Sequence, residues 1–357
     1  MTTNKTRALI VGATGISGQA LCRAALEAGW TTYGLSRSGS VTVDGVIPVA
    51  ADLLDVNSLE EALNDVRPEV VFFTAWMKKD SEQENIEVNS ATLRNVLNVL
   101  GPLDSVKHVA LMTGLKHYLG PFDAYGEAVM AETPFHETED RLDTPNFYYA
   151  QEDELFAGAE KFGFGWSVHR AHTISGFAVG NAMNMMLTLS VYASICKELG
   201  EKFVFPGSET QWNGLTDLTD ADLLAEQMVW AATDDNGHNE AFNIANGDVF
   251  RWRWLWPQFA AHFGVEPEGF DSEPRPLEPC MSDAAAAWKR IAEKHDLAES
   301  DVSRLASWWH TDGDLGRDME CLTDMNKSKK ASFLGFRSTP DAIASVIARY
   351  RDARLIP

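Results

Sequence analysis

Three glycines spaced as Gly12-Ala13-Thr14-Gly15-Ile16-Ser17-Gly18 follow directly on the apolar run Ala8-Leu9-Ile10-Val11. A strand that ends in such a turn and opens a helix can hold the pyrophosphate of a dinucleotide. Gly12 permits the tight turn, Gly15 lets the pyrophosphate approach the backbone, and Gly18 allows close packing of helix on strand. Thr14 and Ile16 lie in the same turn, and the N–H groups of the helix start carry partial positive charge toward the phosphates. After the next strand-like run stand Ser36 and Arg37, where a site that prefers NAD would place an acidic side chain. A guanidinium there binds a ribose 2′-phosphate, so the expected cofactor is NADP(H). Asp52-Leu53, past the third strand, is expected to meet the adenine ring. Thr74-Ala75-Trp76 ends the fourth strand at the carboxyl edge, where ligands bind in such sheets.

Short-chain dehydrogenases pair a tyrosine with a lysine four residues later on one helix, the lysine lowering the tyrosine pKa and holding the nicotinamide ribose. No tyrosine of this chain has that lysine. Tyr148 has Glu152 in its place and Tyr149 has Asp153. Either the chain binds a dinucleotide without chemistry, or its lysine comes from elsewhere. A source is Thr113-Gly114-Leu115-Lys116-His117-Tyr118, which follows the apolar run Val109-Ala110-Leu111-Met112 and so emerges at the same sheet edge.

The elements that must position these groups are legible up to about Arg170. Apolar runs at 8–11, 32–35, 46–50, 70–74 and 109–112 alternate with amphipathic stretches at 19–28, 56–66 and 86–100. That alternation implies a parallel sheet with helical crossovers, and continuously apolar strands imply cover on both faces. Pro48 weakens the middle of the third strand. The expected fold is therefore α/β: a Rossmann-type, doubly wound parallel sheet with a smaller, mainly helical C-terminal lobe for substrate. We place the dinucleotide-binding domain at 1–180 and the substrate lobe at 181–357, with segments near 203–250 returning to the sheet. Trp252, Trp254, Trp256, Trp288, Trp308 and Trp309 crowd the second half, either as core of a helical cap or as lining of a pocket.

Composition narrows the function. With 52 acidic against 30 basic side chains, the formal charge is −22. Such a surface repels phosphate backbones and anionic lipid, which argues against nucleic-acid and membrane roles. Cys22, Cys196, Cys280 and Cys321 are scattered, so neither a metal site nor a disulfide framework is expected. No signal segment or apolar span is evident, and a cytoplasmic location is the expectation.

Taken together, Thr113-Gly114-Leu115-Lys116-His117-Tyr118 and Asn146-Phe147-Tyr148-Tyr149 resemble the progesterone 5β-reductase/iridoid synthase family, an atypical branch of the extended short-chain dehydrogenases. The likeness extends to Ser167-Val168-His169-Arg170, Phe205-Pro206-Gly207, Asn239-Glu240-Ala241-Phe242-Asn243 and Met325-Asn326-Lys327-Ser328. It implies NADPH-dependent 1,4-reduction of the C=C bond of small enones and enals, with Lys116 and Tyr148 in the active site. Tyr148 then donates a hydrogen bond to the enolate oxygen beside the Lys116 ammonium. The adjacent Tyr149 is the alternative occupant of that place. Phe122 matches the family's aromatic substrate residue. A carbonyl (1,2-) reductase and a non-catalytic NADP(H) sensor are the other readings, and a homodimer is the family's expectation. His117 and His169 are expected to be structural. Two departures stand out: Ala171-His172 follows His169-Arg170 where the family has Pro-Gly, and His310 follows Trp308-Trp309 where it has phenylalanine. A polar ring at His310 implies smaller or more polar substrates than a steroid.

Overall fold

The structure, a computed structural model, describes residues 5–121 and 132–357. In its first half strands and helices alternate: β1 (Arg7–Val11), α1 (Ile16–Glu27), β2 (Thr31–Ser36), β3 (Ile47–Ala50), α2 (Val56–Leu63), β4 (Val70–Phe73), α3 (Glu82–Leu100), β5 (His108–Gly114), α4 (Lys116–Leu119), α5 (Phe147–Phe162) and β6 (Gly165–Ala171). The second half continues with β7 (Ile174–Ser175), α6 (Met185–Leu199), β8 (Phe203–Val204), α7 (Glu209–Asn213), β9 (Thr219–Asp220), α8 (Ala221–Thr233) and β10 (Glu240–Ile244). It closes with α9 (Trp252–Phe263), β11 (Pro267–Glu268), α10 (Leu277–Cys280), α11 (Ala284–His295), α12 (Trp308–Leu315), α13 (Asn326–Lys330) and α14 (Thr339–Asp352).

Seven of these strands form one parallel sheet in the order β10-β6-β5-β4-β1-β2-β3. Strand pleat sorts the side chains into two layers. Ala8, Ile10, Val70, Phe72 and Ala110 join a core beneath α1 and α8, while Leu9, Val11, Val71, Phe73, Val109 and Leu111 join one beneath α2, α3 and α5. The two-sided cover explains why these strands read as unbroken apolar runs. Pro48 falls on β3, the outermost strand, where a missing ladder donor costs nothing.

Of the region near 203–250, only β10 enters this sheet. The run at 204–207 forms a two-residue strand that pairs with β11 instead, and β9 pairs with β7. A third core lies among α6, α9, α11 and α14, and Trp252, Trp256 and Trp288 are buried in it. Those three tryptophans are packing. Trp309 is different, since it flanks an open cleft beneath the Lys78 ammonium, 3.5 Å from the ring centroid.

Candidate active site

Strand order reverses between β1 and β4, and the crevice opens there, at the carboxyl ends of the strands. Gly12 leaves β1 at a φ of +90°, a conformation that favours glycine. A β-carbon on it would stand 3.0 Å from both the Thr74 hydroxyl and the Ala75 amide nitrogen across the switch point. On Gly18 a β-carbon would lie 2.1 Å from the Gly12 carbonyl oxygen, so this residue serves the seating of α1 on the turn.

A groove runs over this turn, lined by Gly12, Thr14, Gly15, Leu53, Thr74, Ala75 and Trp76. Ser36 and Arg37 line it as well, as do Lys78 and Lys79, the former reaching over the Trp309 ring. Glycine backbone at a helix start with a guanidinium along the same groove is a donor set that suits a dinucleotide carrying a 2′-phosphate. Asp52 does not line the groove; its carboxylate accepts from the Leu54 amide at 2.9 Å and shapes the loop. Gly18 does not line it either.

The groove continues into a deeper cleft lined by Ile16, Thr113, Gly114, Lys116, Tyr148, His172, His310 and Arg317, among others. Lys116 opens α4, directly after β5. Tyr148 lies in the first turn of α5, and the link between the two is Asn146. Its side-chain oxygen caps α5 by accepting from the Tyr148 amide at 3.0 Å, and its Nδ2 donates to the Lys116 carbonyl at 2.7 Å. Glu82, at the start of α3, accepts from the Phe147 amide at 2.7 Å and fixes the same helix end. The Tyr148 hydroxyl is packed at the end of β5: a β-carbon on Gly114 would stand 3.4 Å from it. Burial, with the Glu82 charge adding to it, pushes the Tyr148 pKa up. The phenol is therefore protonated at neutral pH and is a donor. The Lys116 ammonium lies beside the same helix end, 5.1 Å from the Phe147 ring and 6.0 Å from that of Trp76, which stacks on Phe147.

Tyr149 is turned out of this cleft, one helical step of about 100° from Tyr148. Its hydroxyl donates to the His117 carbonyl at 2.5 Å and accepts from the Leu142 amide at 3.0 Å. Its hydroxyl thus ties α5 to α4, and Tyr149 is not among the described residues that line the cleft. Glu152, where a lysine was sought, is buried against Arg141 at 2.9 Å and Arg170 at 3.6 Å. His310 does face the cleft, beside Asp314 at 3.8 Å, and burial holds its pKa low. Phe122 lies outside the described residues. His169 is buried between Gln227 at 2.8 Å and Ser167 at 2.9 Å, and His117 packs edge-on against Tyr118 and Tyr149.

The site also gathers residues that sequence reasoning missed. Asn146 carried a signal, since asparagine ahead of an amphipathic run is a helix N-cap. Asn181 and Arg317 carried none, because they reach the cleft from loops far apart in the chain, and His172 was visible only as a departure from the family's pattern. The described residues hold no cluster able to bind a metal, and all four cysteines are unpaired. No described helix is long and apolar enough to cross a membrane.

A parallel sheet with a glycine turn at its switch point, and a tyrosine and lysine at its carboxyl edge, defines a Rossmann-fold oxidoreductase. More narrowly, the chain belongs to the family of the PRISE-like Rossmann-fold domain, whose sequence profile matches residues 50–357. It is 40% identical over 366 residues to an (S)-8-oxocitronellyl enol synthase of Camptotheca acuminata, covering 98% of this chain and 93% of that one. It is 39% identical over 363 residues to the 3-oxo-Delta(4,5)-steroid 5-beta-reductase of Arabidopsis thaliana, again covering 98% and 93%. Among solved structures, the UDP-glucose 4-epimerase of Thermotoga maritima superposes with a TM-score of 0.69 over 97% of this chain and 98% of that one. At 16% identity that likeness is one of fold alone.

Proposed function

We propose that this protein reduces the activated C=C bond of enones and enals with NADPH, Tyr148 and Lys116 stabilising the enolate. The observation that carries this reading is Tyr148 held neutral in a cleft that opens from the dinucleotide groove. The names of its close relatives, a steroid 5-beta-reductase and enol synthases, agree with that chemistry.

Gly12, Thr14, Gly15 and Thr74 would hold the cofactor backbone, Leu53 its adenine side, and Ser36 and Arg37 its 2′-phosphate. Ala75, Trp76, Ile16 and Thr113 would line the nicotinamide end. When bound, NADPH supplies the hydride for the substrate β-carbon. The protein's part is electrostatic. As the β-carbon is reduced, negative charge gathers on the carbonyl oxygen, and the Tyr148 hydroxyl donates a hydrogen bond to it. The Lys116 ammonium adds a positive field on the same side. A preorganised donor of this kind lowers the barrier by about 2.7–4 kcal/mol. Because the α-carbon can take its proton from solvent, no residue need act as a strong acid. A phenol with a raised pKa suits that division of labour.

His310 would contact substrate from α12. We further assign residues 1–180 to cofactor binding and 181–357 to the substrate lobe, with β10 lent back to the sheet. Four unpaired cysteines suit a reducing cytoplasm, and a homodimer is the assembly we expect from the family. NADPH consumption against a panel of small enones, with the products identified, tests the reading. Saturated ketones or aldehydes support it, and allylic alcohols or no turnover reject it.

A further inference from the structure

His172, the first residue past β6, lines the cleft a strand away from Gly114 and Tyr148, since Gly114 and Ala171 are register partners. It is 2% exposed, and its Nδ1 lies 2.5 Å from Asp217 Oδ1. Asp217 is outside the cleft lining and is itself held, accepting from the Thr323 amide at 2.8 Å and hydroxyl at 3.3 Å. With Nδ1 committed to Asp217, Nε2 is the nitrogen left for the cleft, and it is buried without a hydrogen-bond partner. A buried donor without a partner is costly, so a ligand atom that completes it gains accordingly.

We infer that the substrate carries a carboxylate beyond its enone unit, and that His172 Nε2–H receives it. This rests on the conjugate-reductase reading above. Three features select a carboxylate over a neutral group. Asp217 fixes the proton arrangement so that Nε2 donates when the ring is charged. Burial pulls the His172 pKa down, but Asp217 and the neighbouring Cys321 sulfur outweigh it and raise it to about 9, so the ring is charged at neutral pH. The other charged groups of the cleft wall are Lys116 and Arg317 against Asp314 alone, an excess of positive charge. Tyr148 and Lys116 would take the carbonyl oxygen and His172 the far end, which fixes the direction in which the substrate lies.

The test uses the whole protein with NADPH or NADP+ and three matched methyl enones: one whose β-carbon bears a short chain ending in a carboxylate, its methyl ester, and an alkyl enone of equal length. Binding of the corresponding saturated keto acid and its ester to the NADP+ complex is measured by calorimetry. The inference predicts that the acid forms bind roughly tenfold to a hundredfold more tightly than the esters, as a charge-assisted hydrogen bond should. His172→Gln should remove that preference, so that acid and ester bind alike. Asp217→Asn, which changes no residue of the cleft lining, should weaken it and shift its loss to lower pH. Equal affinity for acid and ester, or a preference that survives His172→Gln, overturns the inference. Failure to reduce any of the three enones would instead overturn the conjugate-reductase reading, while the calorimetry still decides the role of His172.

Discussion

The side-chain amide of Asn146 donates to the Lys116 carbonyl oxygen at 2.7 Å. The same side chain caps the helix that carries Tyr148, so one residue sets the spacing of the two groups assigned to catalysis. The arrangement replaces a one-helix tyrosine–lysine pair by two helices clamped together.

Asn146→Ala should therefore act twice. Loss of the cap costs about 0.5–2 kcal/mol of stability. Turnover should fall further than stability accounts for, because Lys116 and Tyr148 lose their common anchor. Asn146→Asp keeps the cap acceptor but turns a carboxylate oxygen on the Lys116 carbonyl, so it should recover only part of the melting temperature and leave kcat low. Steady-state kinetics beside thermal melts separate the two effects.

Tyr148→Phe removes the oxyanion donor and nothing of the cofactor groove. We expect kcat to drop roughly a hundredfold to a thousandfold. The Kd of NADPH, read by fluorescence titration, should stay within a factor of two or so of wild type, since no groove residue changes. Turnover that survives the change would place the donor elsewhere.

Arg37 is exposed at the outer end of the groove and lines it with Ser36. Arg37→Ala should weaken NADPH binding roughly tenfold to a hundredfold while leaving NADH nearly untouched, as expected for a charge-assisted contact to one phosphate. Comparable losses with both cofactors would mean that the guanidinium only shapes the loop.

Three buried imidazoles make the fold sensitive to acid. Burial, with His238 and His169 as neighbours, lowers the His108 pKa to about 3; burial, with Arg170 near it, lowers His117 to about 3; and burial lowers His169 to about 4. The Ser167 hydroxyl lies 2.9 Å from both His108 Nε2 and His169 Nε2. Its one proton can serve only one of them, so the other ring must donate, an arrangement of neutral rings. Folded pKa values below the unfolded 6.5 mean that the unfolded chain binds more protons under that pH. Stability from these groups is thus present above 6.5 and lost as pH falls toward 4. Melting temperature followed from pH 7 downward should decline over that window. His108→Gln, which cannot charge, should flatten the decline.

The fold was legible because the central strands β1, β4 and β5 are buried on both faces and read as apolar runs. The glycine turn was legible because backbone geometry leaves little choice of residue there. Less visible were Tyr149 and Asp52, whose types suit a ligand but which spend polar atoms on backbone groups. Neighbouring positions on a helix or a turn differ by the direction they face, and spacing alone does not fix that at the first turn. The His172–Asp217 pair was out of reach for another reason. Its members come from the end of β6 and the loop before β9, and only the folded chain brings them within 2.5 Å.

The central claim is that the protein delivers hydride to carbon rather than to the carbonyl. Turnover of a simple enone with NADPH deuterated at C4 of the nicotinamide, followed by NMR of the product, tests it directly. The account predicts a saturated ketone with deuterium on the former β-carbon. Deuterium on the carbinol carbon of an allylic alcohol would contradict it.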